Sequence, residues 1–337
     1  MSDLADPILI TGGHGFIGSA LARRLAGMGH RVHVVDPAPR PAGLPESVVS
    51  HTLSILDHDG LVPCMQGMGT VFHMAAVARL YARDPAIYDR VNRAGTEAVI
   101  AAARAAGVTR LVVTSTALVL WDWRRPAARI SENSPQPPLA GMAGPYSRSK
   151  WRAEALVRAG MAQGLDAVLV YPTVPLGPPA GFVTEPTEML RQFLTAPPPA
   201  YLETTLDFVD VDDVAEAHML AAAHAPAGGR YLIAGEGIGF GDFLGHLHAI
   251  SGRAMPRHRI PYGLAAATAH LGERWARLTG GPPPASVEGV RVARHAPVYD
   301  AARARSELGW SPRPVGETIR RAAEAVLADR DGGGATP

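Results

Sequence analysis

A single cysteine, Cys64, stands among 337 residues. That scarcity excludes an internal disulfide framework and a cysteine-built metal cage. It fits a reducing compartment, so a cytoplasmic location is the expectation. No apolar run reaches the roughly 18 residues that a spanning helix needs. The first residues, MSDLADPILITGG, are acidic and then run straight into an apolar strand. They lack a basic segment ahead of a long apolar stretch, so no signal peptide is expected. Charge of one sign is missing as well: 32 lysines and arginines meet 31 aspartates and glutamates, for a net +1. No basic run marks a nucleic-acid partner. The thirteen histidines show no ligand spacing. His246-x-His248 reads as a helix-face coincidence, and no metal is expected. There is no internal repeat. The only low-complexity stretch is the glycine-rich tail at 331–337, expected to be disordered.

What is present is a globular composition, 47% hydrophobic and 19% charged, with ample material for a core. Through the first half, short apolar runs alternate with helical patterns. Strands are predicted at Ile8–Ile10, Arg31–Val35, Val71–Met74, Leu111–Ser115 and Ala167–Tyr171. Helices are predicted at Ser19–Met28, about 85–106 and Tyr146–Gln163. This alternation specifies an α/β fold with a doubly wound parallel sheet of the Rossmann kind. Prolines and glycines crowd 172–181 and 197–199, where the chain is expected to leave the sheet. It returns with a helix at Asp212–His224 and a strand at Arg230–Ile233. The expected division is a dinucleotide-binding domain over 1–176 with a return at about 206–235. A smaller, mostly helical substrate lobe takes 177–205 and 236–330. Within that lobe Leu264–Leu278 (LAAATAHLGERWARL) is amphipathic and follows Arg257-His258-Arg259. It reads either as a packed helix or as a peripheral contact with a membrane surface or a greasy substrate.

Thr11-Gly12-Gly13-His14-Gly15-Phe16-Ile17-Gly18 joins the first strand to the first helix. Gly12, Gly15 and Gly18 let the backbone turn tightly beside a pyrophosphate, and the amides around Phe16 and Ile17 offer free N–H groups. Glycine spacing alone is weak evidence; the strand–turn–helix context gives it force. Asp36 closes the second strand 18 residues after Gly18. A carboxylate there accepts from the adenosine ribose and repels a 2′-phosphate, which favours NAD(H) over NADP(H). Arg40, nearby, is the feature that softens this preference.

Tyr146 and Lys150 stand four apart at a predicted helix start, hence on one face. An ammonium beside a phenol lowers the phenol's pKa and lets it exchange a proton with a carbonyl. The lysine also suits the nicotinamide ribose. Thr114-Ser115-Thr116 lies at the carboxyl end of a buried strand, where ligands bind in such sheets. Thr116 offers a hydroxyl to a reacting oxygen, and Thr114 lies beside the cofactor.

At this point TGGHGFIG, VFHMAA (71–76), VNRAGT (91–96), VVTST (112–116), YSRSK (146–150), DFVDVDDVAEAH (207–218) and YDAARARSELGW (299–310) can be taken as a set. The chain resembles the extended short-chain dehydrogenases/reductases of the NAD-dependent epimerase/dehydratase type, over residues 7–325. The resemblance implies Tyr146 as acid/base, Lys150 as its partner, Thr116 as oxygen-binding hydroxyl and Asn92 as support. It also implies cofactor contacts from Ile55, Ala75, Ala76 and Pro172. It further implies a homodimer through the two long helices near 86–106 and 146–163. Departures from the family pattern bear on substrate. Ala117-Leu118 replace the Asp-Glu of sugar-nucleotide dehydratases. Leu206 stands where epimerases carry a diphosphate-binding arginine, with only Arg294 to compensate. Leu120-Trp121 replace Tyr-Gly, and Ser54 replaces an adenine-site aspartate. Longer stretches are similar to the hopanoid-associated sugar epimerase, dihydroflavonol reductase and 3β-hydroxysteroid dehydrogenase subgroup. Trp121, Trp123 and Leu206 then suggest a bulky apolar small-molecule substrate, the alternative for the tryptophans being loop packing. The leading expectation is interconversion of a secondary alcohol and a ketone. The rivals are epimerisation with retained NAD and, behind it, NAD binding without catalysis.

Overall fold

A computed structural model describes residues 4–125, 129–179 and 181–332. The chain opens with β1 (Ile8–Thr11), α1 (Phe16–Gly27), β2 (Val32–Val35), β3 (Val49–His51), α2 (His58–Met65) and β4 (Thr70–His73). A one-turn helix, Ala86–Tyr88, runs through a π-helical stretch, Asp89–Ala94, into α3 (Gly95–Ala105). Then come β5 (Arg110–Thr114), α4 (Pro145–Ala162), β6 (Ala167–Pro172), β7 (Val174–Leu176) and α5 (Glu185–Thr195). β8 (Thr205–Asp210), α6 (Val211–His224), β9 (Arg230–Ile233), β10 (Glu236–Gly239) and α7 (Phe240–Ser251) follow. The chain ends with α8 (Tyr262–Thr279), α9 (Val287–Arg294), α10 (Ala302–Leu308) and α11 (Val315–Gly332).

Seven strands form one parallel sheet in the order β9-β6-β5-β4-β1-β2-β3. β1, β4 and β6 are buried on both faces. That is why Ile8-Leu9-Ile10 and Val168-Leu169-Val170 read as unbroken apolar runs rather than alternating ones. Helices α1 and α6 pack together on one face, and α2, α3 and α4 cover the other. A second sheet, β10-β8-β7, carries the smaller lobe. Its core gathers Leu176, Leu190, Phe193, Phe208, Phe243 and Ile319.

Two elements differ from the sequence expectation. The periodicity over 85–106 predicts one helix, but the structure interrupts it with the π-helical stretch at Asp89–Ala94. There Thr96 Oγ1 donates to the Asn92 carbonyl at 2.6 Å, the back-bonding by which threonine loosens a helical ladder. At the far end, 301–310 does not join the lobe. Ala301, Ala304, Leu308 and Trp310 belong to the core of the main sheet. Trp310 Nε1 donates to the Asp213 carbonyl at 2.8 Å, and Arg313 grips the Asp213 carboxylate with contacts of 2.7–3.1 Å. Of the tail expected to be disordered, residues 331 and 332 complete α11 and the remainder lies outside the described residues.

Trp310→Ala removes a buried ring and a satisfied indole donor together. The expected cost is ~3–5 kcal/mol, read by chemical denaturation. A loss below ~1 kcal/mol would show that 301–310 does not anchor to the main core.

Candidate active site

The site lies at the carboxyl ends of β1, β4 and β5. Gly12 has φ +71, a conformation L side chains rarely adopt. A Cβ there would stand 2.6 Å from the Ala75 amide nitrogen, and one on Gly18 would stand 2.2 Å from the Gly12 carbonyl oxygen. The turn is therefore packed backbone on backbone. Helix α1 begins directly at Phe16 rather than at Ser19. Its N-cap is Gly15, with no side-chain cap and no acid in the first turn. Its first amides are thus left for a ligand, the condition for anion binding at a helix start. His14, unassigned from sequence, pins this turn: its ring bonds the Ala38 carbonyl at 2.8 Å and Ser50 Oγ at 3.0 Å.

Asp36 is buried, and its oxygens accept from the His14 and Ala38 amides at 3.1 and 2.9 Å. A carboxylate has lone pairs left after two such bonds. Arg40 is committed elsewhere. Its guanidinium donates to the carbonyls of Leu44, Pro45 and Val48 and to Ser50 Oγ. The cation that would welcome a 2′-phosphate is spent on closing its own loop. The turn, the bare helix start and Asp36 fit NAD.

Beneath the turn runs a buried relay whose proton directions are forced. Burial holds His73 down to about 3, so it is neutral at ordinary pH with one N–H. Thr96 uses its proton on the Asn92 carbonyl, so it accepts from His73 Nε2 at 2.9 Å. His73 Nδ1 then accepts from Thr11 Oγ1 at 2.8 Å. His218 is settled the same way. Its pKa falls to about 4 by burial, and Nδ1 donates to the Val214 carbonyl at 2.7 Å. Nε2 therefore accepts from Thr114 Oγ1 at 2.8 Å. Thr114 thus presents no free hydroxyl.

Asn92 ties the loop after β4 to α4. Its Oδ1 accepts from the Val77 amide at 2.7 Å, while Nδ2 donates to the Val77 carbonyl at 3.1 Å and to Ser149 Oγ at 2.9 Å. Lys150 Nζ donates to the Thr114 carbonyl at 2.7 Å. Burial brings its pKa down to about 8, against a smaller upward pull from Glu154. The Thr116 hydroxyl lies near enough to Tyr146 to favour its ionised form, and Thr116 Oγ1 also accepts from the Leu118 amide at 3.4 Å. The tyrosine departs from the sequence expectation. Its pKa is pushed above its ordinary value, first by burial, with the Thr116 hydroxyl pulling down and Glu288 and Glu185 adding upward. Desolvation of the phenolate prevails here, and the ammonium serves the Thr114 carbonyl.

Glu288, also unassigned from sequence, comes from α9 in the lobe. Its buried carboxylate accepts from the Tyr146 and Ser147 amides at 3.0 and 2.8 Å. It caps the helix that carries Tyr146 and Lys150, filling the space beside Gly144. Beside this cap lies a cavity of about 210 Å³ lined by Leu80, Tyr81, Tyr88, Arg148, Val287 and Glu288, among others.

The remaining sequence candidates separate. Phe16, Ile17, Ala75 and Ala76 are half-buried around the turn. Ile55 packs in the main core and Pro172 is buried at the end of β6. Leu206 lies on β8 opposite Ile238. Trp121 is only 1% exposed and sits in the main core, so its ring is packing and not a cleft wall. Two guanidiniums approach the Trp123 ring, Arg291 at 4.9 Å and Arg124 at 5.7 Å from its centroid. Among the described residues no group of three or more His, Cys, Asp or Glu is placed to hold a metal. Among the described residues, too, no helix is long and apolar enough to cross a membrane.

Residues 8–234 match the NAD dependent epimerase/dehydratase family. A putative dihydroflavonol 4-reductase of Synechocystis is 33% identical over 94% of this chain and 93% of its own length. The 4-hydroxy-2-methyl-3-oxo-4-farnesyl-3,4-dihydroquinoline-1-oxide ketoreductase of Stigmatella aurantiaca is 32% identical over 90% and 91%. Thermus thermophilus UDP-glucose 4-epimerase, solved with NAD, superposes with a TM-score of 0.74 at 25% identity, covering 95% and 98%.

Asp36→Ala removes an acceptor whose bonds, being charged, are each worth ~1.5–3 kcal/mol. NAD affinity should fall at least about tenfold in calorimetric titration, with little gain for NADP because Arg40 stays committed. Unchanged NAD affinity would remove Asp36 from the ribose site.

Proposed function

The chain belongs to the NAD dependent epimerase/dehydratase family, and from that premise we propose that it interconverts a secondary alcohol and a ketone on a hydrophobic small molecule. The observation that carries the reading is the bond from Lys150 Nζ to the Thr114 carbonyl at 2.7 Å, which ties the helix bearing Tyr146 to the strand end that leads into Thr116. With Tyr146 near the Thr116 hydroxyl, the pair suits two hydroxyls that share a third oxygen, that of the substrate.

NAD would be held by the Gly12–Gly18 turn and its Phe16 and Ile17 amides, by Asp36 at the adenosine ribose, and by Lys150 at the nicotinamide ribose. Ile55, Ala75, Ala76 and Pro172 would line it. When bound, NAD supplies or takes up the hydride. Everything else falls to the chain. Thr116 orients the substrate oxygen. Tyr146 holds its proton at neutral pH, because burial raises its pKa, and releases it to the carbonyl oxygen as charge builds there. Lys150, at about 8, keeps a positive charge next to that oxygen's site up to mildly basic pH. Asn92 and Glu288 hold the helix that positions both.

The substrate class rests on three features. Ala117 and Leu118 offer no acid or base beside Thr116. Leu206 is aliphatic and packs against the lobe core. The Stigmatella relative is named for a farnesylated ketone. A second reading, epimerisation with NAD retained, is favoured by Arg148, Arg277 and Arg291 around the cavity beside α4, because arginines suit a diphosphate. Net change in nicotinamide absorbance with substrate separates the two.

Tyr146→Phe should lower kcat for ketone reduction by roughly 10²–10⁴-fold while leaving NAD affinity in place. Full turnover would sink the assignment. In the unaltered enzyme, reduction should slow as pH climbs through about 8, where Lys150 loses its proton. A flat profile from neutral to basic pH would show that its charge is not needed.

A further inference from the structure

Helix α8 is built inside out. The face that packs against the lobe is made of alanines: Ala265, Ala269 and Ala276 are buried, and the first two cluster with Val290 of α9. The bulky residues point the other way. Leu264, Leu271, Trp275 and Leu278 are 56%, 64%, 67% and 80% exposed. Spacings of seven, four and three residues place all four along a single stripe. The helix is about 27 Å long, and the stripe runs along most of it. Isolated exposed leucines need no account, but a contiguous row of them with a tryptophan does.

The charge around the stripe tells what covers it. The segment 253–294 holds seven arginines and two acids, although the whole chain is balanced at +1. Both acids are turned inward. Glu288 is buried under the start of α4. Glu273 accepts from the Val287 amide at 2.7 Å and lies 3.7 Å from Arg277. Three of the arginines are left unpaired at the surface. Arg257, Arg274 and Arg294 are exposed and make no ion pair among the described residues. Arg294 lies over the Tyr262 ring at 4.8 Å, at the start of the helix. Arg274 flanks the apolar stripe within the helix itself.

We propose that α8 is a docking surface for the anionic face of a lipid bilayer, with Leu264, Leu271, Trp275 and Leu278 entering the headgroup–acyl boundary and the arginines meeting lipid phosphates. An apolar row flanked by cations and lacking exposed acids matches such a surface. A second copy of this chain would oppose the same arginines to each other. The inference stands on α8 and the arginines around it, so it holds or fails independently of the reaction. It does place the machinery near the bilayer. Glu273 and Arg277 of α8 line the 210 Å³ cavity beside the Tyr146 helix, so the same helix borders both that cavity and the proposed docking face.

The test is sedimentation of the full-length protein with phosphatidylcholine vesicles, with and without phosphatidylglycerol. Binding is expected to the mixed vesicles only, to fall with added salt, and to shift Trp275 fluorescence to the blue. Leu271→Ser/Trp275→Ser and, separately, Arg257→Glu/Arg274→Glu should each weaken it roughly tenfold or more, with NAD affinity retained as proof of folding. Three results would overturn the proposal. One is no binding of the unaltered protein to either vesicle. Another is equal binding by the variants. The third is a dimer that the Leu271/Trp275 variant breaks into monomers, which would make the stripe a contact between copies.

Discussion

The carboxamide of Asn92 is the joint on which this site depends. It is buried, and its three hydrogen bonds reach two different parts of the fold: the Val77 backbone after β4 and Ser149 on α4. Ser149 in turn donates to the Tyr146 carbonyl at 2.7 Å. A buried polar group left without its partners costs more than the bond itself gains. Neither part can therefore shift without leaving donors stranded. The π-helical stretch sets Asn92 at this junction, and irregular turns of this kind recur at functional positions in helices. The relay Thr11–His73–Thr96 continues from the same residue and fixes the ends of β1 and β4 beneath the glycine turn.

Burial also decides the charge states. It keeps His73 and His218 neutral, which makes each a one-way conduit with a defined donor and acceptor. It lowers Lys150 toward the physiological range and raises Tyr146. A phenol raised in this way holds its proton, which suits the proposed donation to a carbonyl. The ammonium sits at the end of β5, donating to the Thr114 carbonyl. Burial is the largest influence on both groups.

The lobe reaches back into the sheet domain at several points. Glu288 caps α4, and Arg291 donates to the Ala143 carbonyl while covering Trp123. Further along, Arg313 and Arg321 hold the acids at the start of α6, with Asp210 shared between them. The smaller lobe and the helix that bears Tyr146 are thus one electrostatic unit. The outer surface of the same lobe carries the exposed stripe of α8, so its two faces serve different neighbours.

The seven-stranded order's core strands, the glycine turn and the Tyr146–Lys150 spacing were legible in the sequence, because each rests on a local rule. Doubly buried strands read as apolar runs, a tight βα turn needs glycine, and a four-residue step puts two side chains on one helix face. Those rules act within a few residues of chain and leave their mark in letters. What they could not specify is which distant group fills a given space. Glu288 lies 142 residues from Tyr146, and nothing in VEGVRVAR marks its glutamate as the cap of another helix. His73 and His218 look like strand and helix residues until the fold buries them against threonines. Trp121 reads from sequence either as a substrate contact or as loop packing, and it lies in the core. The upward shift of Tyr146 follows from desolvation, and desolvation is a property of everything packed around a group. Sequence by itself determined the sheet, the turn and the set of reactive side chains; the tertiary structure alone decided their partners, their protons and their charge, because those depend on neighbours in space rather than along the chain.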